Sequence, residues 1–177
     1  MRITTQALTL LALLGAAYVA WGQTLEVPMQ LLNTNGDTKS IGTITVTSAG
    51  EGVTFTPNLT GLPPGTHGFH VHEKPSCDAA PDPQTGNLTQ GQAAGGHLDP
   101  EKTNRHEGPA GKGHTGDLPA LNVDTDGNAT TPINATRLKI SDLQGHALVI
   151  HAGGDNYSDS PQKLGGGGPR IACGVIR

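Results

Sequence analysis

Two histidines separated by one residue, His70 and His72, are the first residues of this chain whose spacing suits a chemical role. In an extended strand, residues i and i+2 leave the same face, so the two imidazoles would stand side by side. A rigid strand that fixes this separation before an ion arrives favours metal binding. An isolated His-x-His pair is more often part of an exposed polar strand, so a metal site is indicated only where further ligands are present.

Further candidate ligands follow, in a chain that has eight histidines in total. Four imidazoles could come from strands or strand edges, namely His70, His72, His97 and His151. An all-nitrogen set of this kind suits Cu(II), which prefers tetragonal nitrogen coordination and stands high in the affinity order of the divalent metals.

A second set lies on one loop and contains a carboxylate. Its members are His106, His114 and Asp117, which form a tetrahedral zinc set once His97 joins them. Seven ligands for two four-coordinate ions leave one ligand to share. The residues alone do not show that His97 serves both ions.

Short strands and two long loops must position these ligands. Alternating or β-branched runs predict about eight short strands, at 25–32, 40–48, 53–58, 66–73, 118–124, 129–133, 146–151 and 170–176. Asp126-Gly127 predicts a hairpin between two of them. The segments 74–117 and 152–169 lack apolar periodicity, and their histidines and glycines indicate functional loops. The predicted class is an all-β antiparallel sandwich or flattened barrel without a helix.

The composition agrees with one loop-rich domain. The chain has 177 residues with 26 Gly, 13 Pro and 34% hydrophobic residues. Its formal net charge is −4, without basic clusters interleaved with aromatic residues. This argues against nucleic-acid binding.

Residues 1–22 have the features of a secretory signal peptide. Arg2 supplies a positive start, residues 7–20 an apolar stretch, and Ala20-Trp21-Gly22 small residues at a cleavage site before Gln23. The apolar stretch is too short to span a bilayer comfortably, and no later segment approaches that length. The sequence predicts an exported protein with a mature domain at 23–177, which does not insert into a membrane. Loss of Arg2 takes its charge from −4 to −5.

The two cysteines, Cys77 and Cys173, both lie in the mature part. An even number in an oxidising compartment favours one disulfide bond. Thiolate metal ligands are the weaker alternative, because neither cysteine belongs to a Cys-x-x-Cys pair.

Four ordered motifs resemble those of the copper–zinc superoxide dismutases, of the exported bacterial kind. They are GFHVHE at 68–73, GHLDP at 96–100, HTGDL at 114–118 and GPRIACGVI at 168–176. The resemblance covers essentially all of the chain after the predicted signal peptide, and four motifs in this order are highly specific.

The resemblance implies one copper and one zinc ion per chain. It assigns copper to His70, His72, His97 and His151, and zinc to His97, His106, His114 and Asp117, with His97 as the bridge. It also implies that Asp155 links His70 to His106 by a carboxylate between the two rings. Cys77 and Cys173 match the disulfide of the family.

The implied reaction is the dismutation of superoxide to oxygen and hydrogen peroxide, on an eight-stranded Greek-key sandwich. Arg170 matches the arginine that binds the anion beside copper, and His97 would take a proton and give it to the peroxide. Members of this kind are monomers or homodimers, and their location is the periplasm or outside the cell. Cations of the two loops could steer the substrate: Lys74, Lys102, Arg105, Lys112 and Lys163.

Two other functions are compatible with a copper site on such a fold. A copper-binding or delivery module would be expected to carry Cys-x-Cys or Met-rich motifs, whereas this chain has two Met and two separated Cys. A structural domain with a degenerate site would be expected to lack ligands. His67 lies three residues from His70, so we expect it to make hydrogen bonds between loops and not to bind a metal.

Overall fold

The computed structural model of the chain describes residues 23–32 and 38–177, so the predicted signal peptide at 1–22 lies outside it. Within these ranges it contains eleven strands: β1 Thr24–Leu32, β2 Thr38–Ala49, β3 Gly52–Leu59, β4 Gly65–His67, β5 Phe69–His72, β6 Ala80–Pro81, β7 Leu88–Thr89, β8 Leu121–Val123, β9 Ile133–Ala135, β10 Ala147–His151 and β11 Arg170–Val175. The helical elements of these ranges are three short 3₁₀ turns, at Gln92–Ala94, Ile140–Asp142 and Lys163–Gly166. The predicted all-β class is confirmed.

The main sheet has seven antiparallel strands in the order β5-β10-β11-β1-β2-β3-β9. Strands β1, β2 and β3 form a meander, and the last strand returns to lie beside the first, as in a Greek key. Two further pairs, β4-β8 and β6-β7, complete the set. The predicted strands at 25–32, 40–48 and 53–58 agree closely with β1, β2 and β3, because partial alternation and β-branched residues are enough to indicate an extended segment.

A β-bulge explains a break in this alternation on β2. Ile41 and Ile44 are both buried, although residues three apart in a regular strand face opposite sides. The register between β1 and β2 changes from Met29 opposite Gly42 to Gln30 opposite Ser40, which leaves Ile41 as an extra residue. Both isoleucines therefore reach the same core.

The core lies on one face of the curled sheet and is built from aliphatic side chains with two aromatic rings. Phe55 on β3 and Phe69 on β5 pack edge to face, with ring centroids 5.7 Å apart. Aromatic pairs of this geometry contribute about 0.5–1.5 kcal/mol beyond their burial. This contact joins the two ends of the seven-stranded sheet, because β3 and β5 stand near opposite edges of its strand order.

The predicted strand pattern differs from the structure in several details. The strand predicted at 129–133 lies at 133–135, and the predicted loop 74–117 contains the short pair β6 and β7. The predicted strand at 66–73 is divided at Gly68 into β4, which pairs with β8, and β5, which pairs with β10. The Asp126-Gly127 turn forms, with the Asn128 N–H donating to Asp124 Oδ1, but it does not join a hairpin. The strands on either side of it pair with β4 and β3 instead of with each other. The predicted number of eight strands is not confirmed.

No helix of the described residues has the length and apolar character that crossing a membrane requires.

Candidate metal centre

Strand β5 places two candidate ligands on one face. Phe69 and Val71 enter the main core, so His70 and His72 leave the opposite side, where they are also buried. In the ladder with β10, His70 lies opposite Val149 and His72 opposite Ala147. The prediction that these two imidazoles share a face is confirmed.

Strand β10 brings His151 to the same place. By alternation His151 leaves the same face as Ala147 and Val149, which lie opposite His72 and His70 in the ladder with β5. Ile150 remains in the main core, while the His151 ring stacks beside His72 with centroids 5.6 Å apart.

The first long loop is attached along the free edge of β5 by backbone hydrogen bonds. Val71 N–H donates to the Gly116 carbonyl at 2.9 Å, and Leu98 N–H donates to the Val71 carbonyl at 2.8 Å. Isolated bridges join His72 to His97 and His70 to Asp117. The loop thus behaves locally as a further strand, which fixes His97 and Asp117 beside the two histidines of β5.

The first group of ligand atoms consists of His70, His72, His97 and His151, whose candidate atoms lie within 4.8 Å of one another. The Nε2 atoms of His72 and His151 are 3.4 Å apart. The ring of His97 stacks on His70 with centroids 3.9 Å apart. All four side chains are buried.

The second group surrounds the carboxylate of Asp117. Its oxygens lie 2.9 Å from His97 Nδ1, 3.0 Å from His106 Nδ1 and 3.4 Å from His114 Nδ1. Four ligand atoms within 4.8 Å come here from His70, His97, His106 and Asp117, and not from His114. His114 is nevertheless adjacent, with its ring centroid 5.3 Å from that of His97.

Both groups fit metal ions, because they contain buried polar atoms without a hydrogen-bond partner in the described residues. These atoms are His70 Nδ1, His97 Nε2, His106 Nδ1, His114 Nδ1 and Asp117 Oδ2. Leaving such groups unpaired costs about 1–3 kcal/mol each. His106 Nδ1 and Asp117 Oδ2 are 3.0 Å apart without hydrogen-bond geometry, as two ligands of one ion would be. Imidazole nitrogens with a carboxylate suit zinc, and an all-imidazole set suits copper.

Four of the imidazoles use one ring nitrogen for a hydrogen bond to an acceptor, which leaves the second nitrogen for an ion. Asp155 accepts hydrogen bonds from His70 Nε2 and His106 Nε2, both at 2.8 Å, and so joins the two groups. The carbonyls of Gly95 and Gly168 accept from His72 Nδ1 and His151 Nδ1, both at 3.0 Å. Such outer contacts fix the tautomer and the ring orientation of a ligand.

The electrostatics favour metal binding at the first group. Burial lowers the pKa of His97 and of His151 to about 3, and it holds the pKa of His72 well below its usual value. These rings are therefore neutral at pH 7, which is the form that binds a metal.

The carboxylates of Asp117 and Asp155 set the charge of the second group. Burial alone would lower the pKa of His106, but the close negative charge of Asp117 and the hydrogen bond with Asp155 raise it to about 9. Burial would raise the pKa values of the two carboxyl groups, yet their histidine partners hold both well below the usual range. Both carboxylates are ionised and can offset the charge of a cation.

Arg170 begins β11 beside this centre and is half-buried. Its guanidinium donates to the carbonyl of Gly91 and, at 2.7 Å, to that of Gly95. Because the Gly95 carbonyl also accepts from His72, one peptide group connects the arginine to a ligand of the first group. The arginine is thereby held at a fixed distance from the imidazoles.

Cys77 and Cys173 form the predicted disulfide bond, across a sequence separation of 96 residues. The bond ties the first loop to β11. His67 makes the expected hydrogen bonds, to the carbonyls of His151 and Pro63, both at 2.8 Å.

Sequence reasoning missed three kinds of contact around the centre. Arg137 donates to the carbonyls of His114 and Gly113, and Asp159 accepts from the N–H of His106. The carbonyls of Gly95 and Gly168 carry no side-chain signal at all. Of these contacts, only that of Asp159 had a local signal in the sequence, because Asp159 lies four residues after Asp155 in the same glycine-rich loop.

Together the antiparallel sheet and the paired imidazole groups define a β-sheet protein with two adjacent sites for transition-metal ions. Comparison with known proteins specifies the class further. The family model for copper/zinc superoxide dismutase matches residues 40–176. A curated superoxide dismutase [Cu-Zn] of Haemophilus parainfluenzae is 53% identical over 158 residues, which is 88% of this chain and 83% of that protein.

Solved structures agree with this match. The Cu/Zn superoxide dismutase from Brucella abortus superposes with a TM-score of 0.83 at 44% identity, covering 88% of this chain and 100% of that one. The monomeric copper, zinc superoxide dismutase from Salmonella enterica gives a TM-score of 0.77 at 50% identity, with the same coverage. This chain belongs to the copper/zinc superoxide dismutase family. It is an enzyme that converts superoxide to oxygen and hydrogen peroxide, with copper and zinc as its cofactors.

Proposed function

We propose that the two imidazole groups divide the cofactors between them. The first group, His70, His72, His97 and His151, would hold copper, and His97, His106, His114 and Asp117 would hold zinc. Bound copper supplies the electron transfer, by alternating between Cu(II) and Cu(I), while zinc has no redox chemistry of its own. The second carboxylate, Asp155, orients His70 and His106 from outside.

The observation that carries this assignment is the position of His97. Its Nδ1 lies 2.9 Å from Asp117 in the second group, while its Nε2 is buried and unpaired beside His70. One ring therefore has a nitrogen toward each group, as a bridging ligand requires. His97 Nε2 is also the atom that we propose takes up a proton and delivers it to the product, since Nδ1 faces the second group and would be held by zinc there.

Arg170 is the second catalytic residue that we propose. Superoxide is a small anion, and a guanidinium stays protonated at any physiological pH. The two glycine carbonyls restrain this cation beside the first group, so it can bind the anion without collapsing onto a carboxylate. It would orient the substrate and raise its local concentration.

Ligand substitutions test the division of the metals. We expect His151→Ala to lose copper and superoxide dismutation while retaining one zinc ion per chain, and His114→Ala to lose zinc selectively. Metal content would be measured by atomic spectrometry, and superoxide consumption before and after copper chelation. Loss of zinc from His151→Ala with copper retained would contradict the assignment.

We also propose that residues 1–22 direct export and are removed, leaving the domain 23–177 in the periplasm or outside the cell. The arrangement of Arg2 and the apolar residues 7–20 supports this, and the Cys77–Cys173 bond is typical of an oxidising compartment. Mass spectrometry of the exported protein should find an N-terminus at Gln23. A cytoplasmic protein that retains Met1 would contradict it.

The resemblance predicts either a monomer or a homodimer. The Salmonella enterica relative is described as monomeric. Sedimentation of the mature protein across a concentration series would decide between the two states.

A further inference from the structure

The second long loop, residues 152–169, touches the zinc group through more than Asp155. Asp159 Oδ2 accepts a hydrogen bond from the backbone N–H of His106 at 2.8 Å. Its other oxygen accepts from the N–H of Leu164 at 3.1 Å. One exposed carboxylate therefore joins the backbone of a proposed zinc ligand to the far end of the second loop.

Tyr157 makes a second connection between the loops. Its hydroxyl oxygen accepts a hydrogen bond from the N–H of Ala120 at 3.0 Å, and its ring covers Gly108 so closely that a Cβ there would come within 2.6 Å of Tyr157 Cβ. Its own N–H donates to Asp155 Oδ1 at 2.7 Å. The ring therefore rests on the loop that carries His106, while the backbone holds the carboxylate that binds the ring of His106.

The backbone geometry of this segment is costly for the residues that occupy it. Tyr157 has a φ of 57° and Leu164 a φ of 55°, in the left-handed region that non-glycine residues seldom adopt. Strain of this kind persists only where surrounding contacts over-determine the conformation. Here those contacts are the hydrogen bonds of Asp159 and Tyr157 to the first loop and to Asp155.

We propose that Tyr157 and Asp159 are positioning residues for the zinc site, which fix His106 and thereby set the affinity for zinc but not for copper. The inference rests on the proposed division of the metals. His106 is held at three points: Asp155 at Nε2, Asp159 at its backbone N–H, and Asp117 beside Nδ1. With the backbone and one ring nitrogen fixed, Nδ1 can point only toward the second group.

The selectivity follows from where the contacts lie. Tyr157 and Asp159 act on residues 106, 108 and 120, which belong to the first loop and its exit toward β8. The copper group is instead held by the β5–β10 ladder, by the carbonyls of Gly95 and Gly168, and by Asp155 at His70 Nε2. Asp155 is in turn held by the backbone N–H of Tyr157, which side-chain substitutions at 157 and 159 keep. Loosening His106 would therefore release zinc while the copper ligands stay in register.

The test compares Asp159→Asn with Asp124→Asn in the full mature chain. Asp124 is a matched control, because it accepts backbone N–H groups of Asp126 and Asn128 inside its own turn. We expect Asp159→Asn to raise the Kd for Zn²⁺ by about 10–100-fold, the usual effect of removing an outer contact to a ligand. The Kd for copper should change less than about threefold, and Asp124→Asn should leave both values unchanged. Zinc affinity would be measured by competition with a chromophoric chelator.

A spectroscopic readout separates positioning from general destabilisation. Co²⁺ at the zinc site reports ligand geometry through its visible absorption bands, and we expect these bands to shift in Asp159→Asn and in Tyr157→Phe. The phenylalanine variant keeps the ring over Gly108 and loses only the hydroxyl acceptor, so it tests the same idea with less risk to folding.

Two results would overturn the inference: an unchanged zinc affinity with an unchanged Co²⁺ spectrum, or an equal loss of copper and zinc together with a lower melting temperature of the metal-free variant. The wild-type protein distinguishes this failure from that of the proposed function. If wild type binds zinc at His106 and the variants bind it equally well, only the positioning role falls. If the His106→Ala variant binds zinc as tightly as the wild-type protein does, the proposed division of the metals is wrong as well.

Discussion

At the scale of single residues, each imidazole of the centre uses its two nitrogens for different purposes. His70 gives Nε2 to Asp155 and leaves Nδ1 unpaired, whereas His72 gives Nδ1 to the Gly95 carbonyl and leaves Nε2 facing His151. The identity of the acceptor thus decides which nitrogen faces an ion. A histidine at the right position would not be enough if its outer partner were missing.

Arg170 gives a prediction at this scale. We expect Arg170→Gln to lower kcat/KM for superoxide by roughly 10-fold or more, because it removes a cation that concentrates and orients the anion. Arg170→Lys keeps the charge but loses the planar donor pair that contacts Gly91 and Gly95, so it should retain an intermediate rate. Pulse radiolysis on metal-loaded protein would measure both.

Metal content is the control, and it should equal that of the wild-type protein. In the described residues the side chain of Arg170 donates hydrogen bonds to backbone carbonyls and to no side chain of a proposed metal ligand. A Gln variant with the wild-type rate would contradict the role of the arginine.

At the scale of the elements, β5 is the centre of the arrangement. One edge pairs with β10, which carries His151, and the other edge binds the loop segments that carry His97 and Asp117. One face of the same strand enters the hydrophobic core through Phe69 and Val71. Core packing therefore positions the ligands, because the strand cannot rotate without exposing two large apolar side chains.

The disulfide gives a prediction for the first loop. Cys173 is fully buried, and its bond to Cys77 closes a loop with a separation of 96 residues. In the chain-entropy account, a loop of about 100 residues is worth about 4–5 kcal/mol. We expect Cys77→Ala with Cys173→Ala to lower the free energy of unfolding of the metal-free protein by about that amount, as measured by urea unfolding.

Wild-type protein under reducing conditions is the matched control for the double variant, and it should lose a similar amount of stability. Equal unfolding midpoints for the oxidised protein and the variant would show that the bond does not stabilise the fold.

At the scale of the whole molecule, the net charge and the local charges act in opposite directions. A formal charge of −4 repels superoxide at long range. The lysines at 74, 102, 112 and 163 are exposed on the two loops, whereas Arg105 forms an ion pair with Glu107 at 2.8 Å that offsets its charge. The four lysines are accordingly the better candidates for steering the substrate.

Ionic strength tests this steering. We expect kcat/KM to fall several-fold between 0.01 M and 0.15 M salt, because the Debye length shrinks from about 30 Å to about 8 Å over that range. Lys163→Gln should reduce the rate at low salt and flatten the salt dependence. Lys139→Gln is the control, because Lys139 is also exposed but lies outside both loops. A rate that is insensitive to salt would remove the steering idea.

Removal of the metals gives a second prediction at this scale. The native state alone brings the seven proposed ligands together, so bound ions stabilise it by mass action. An ion at 1,000 times its Kd contributes about 4 kcal/mol. We expect chelation to lower the melting temperature in calorimetry by many degrees, and zinc alone to restore part of it. Equal melting temperatures with and without metals would mean that the groups do not bind ions in the folded protein.

The sequence by itself determined the chemistry and much of the framework. Residue type and parity placed His70 and His72 on one face, and the alternation of β1 to β3 predicted their strands, because both depend only on the local period of an extended chain. The two cysteines and the glycine-rich loops were also readable from composition. The proposed ligand set came from the number and order of the histidines, together with the resemblance to a family.

Only the tertiary structure decided how these pieces meet. Gly68 divides the histidine strand between two sheets, and the Asp126-Gly127 turn connects strands that pair elsewhere, because strand partners are chosen by long-range packing. The acceptors at Gly95, Gly168 and Asp159 come from loops distant in sequence, and a backbone carbonyl carries no residue-specific signal. Which nitrogen of each imidazole faces an ion is fixed by those acceptors, so it exists as a property only of the folded chain.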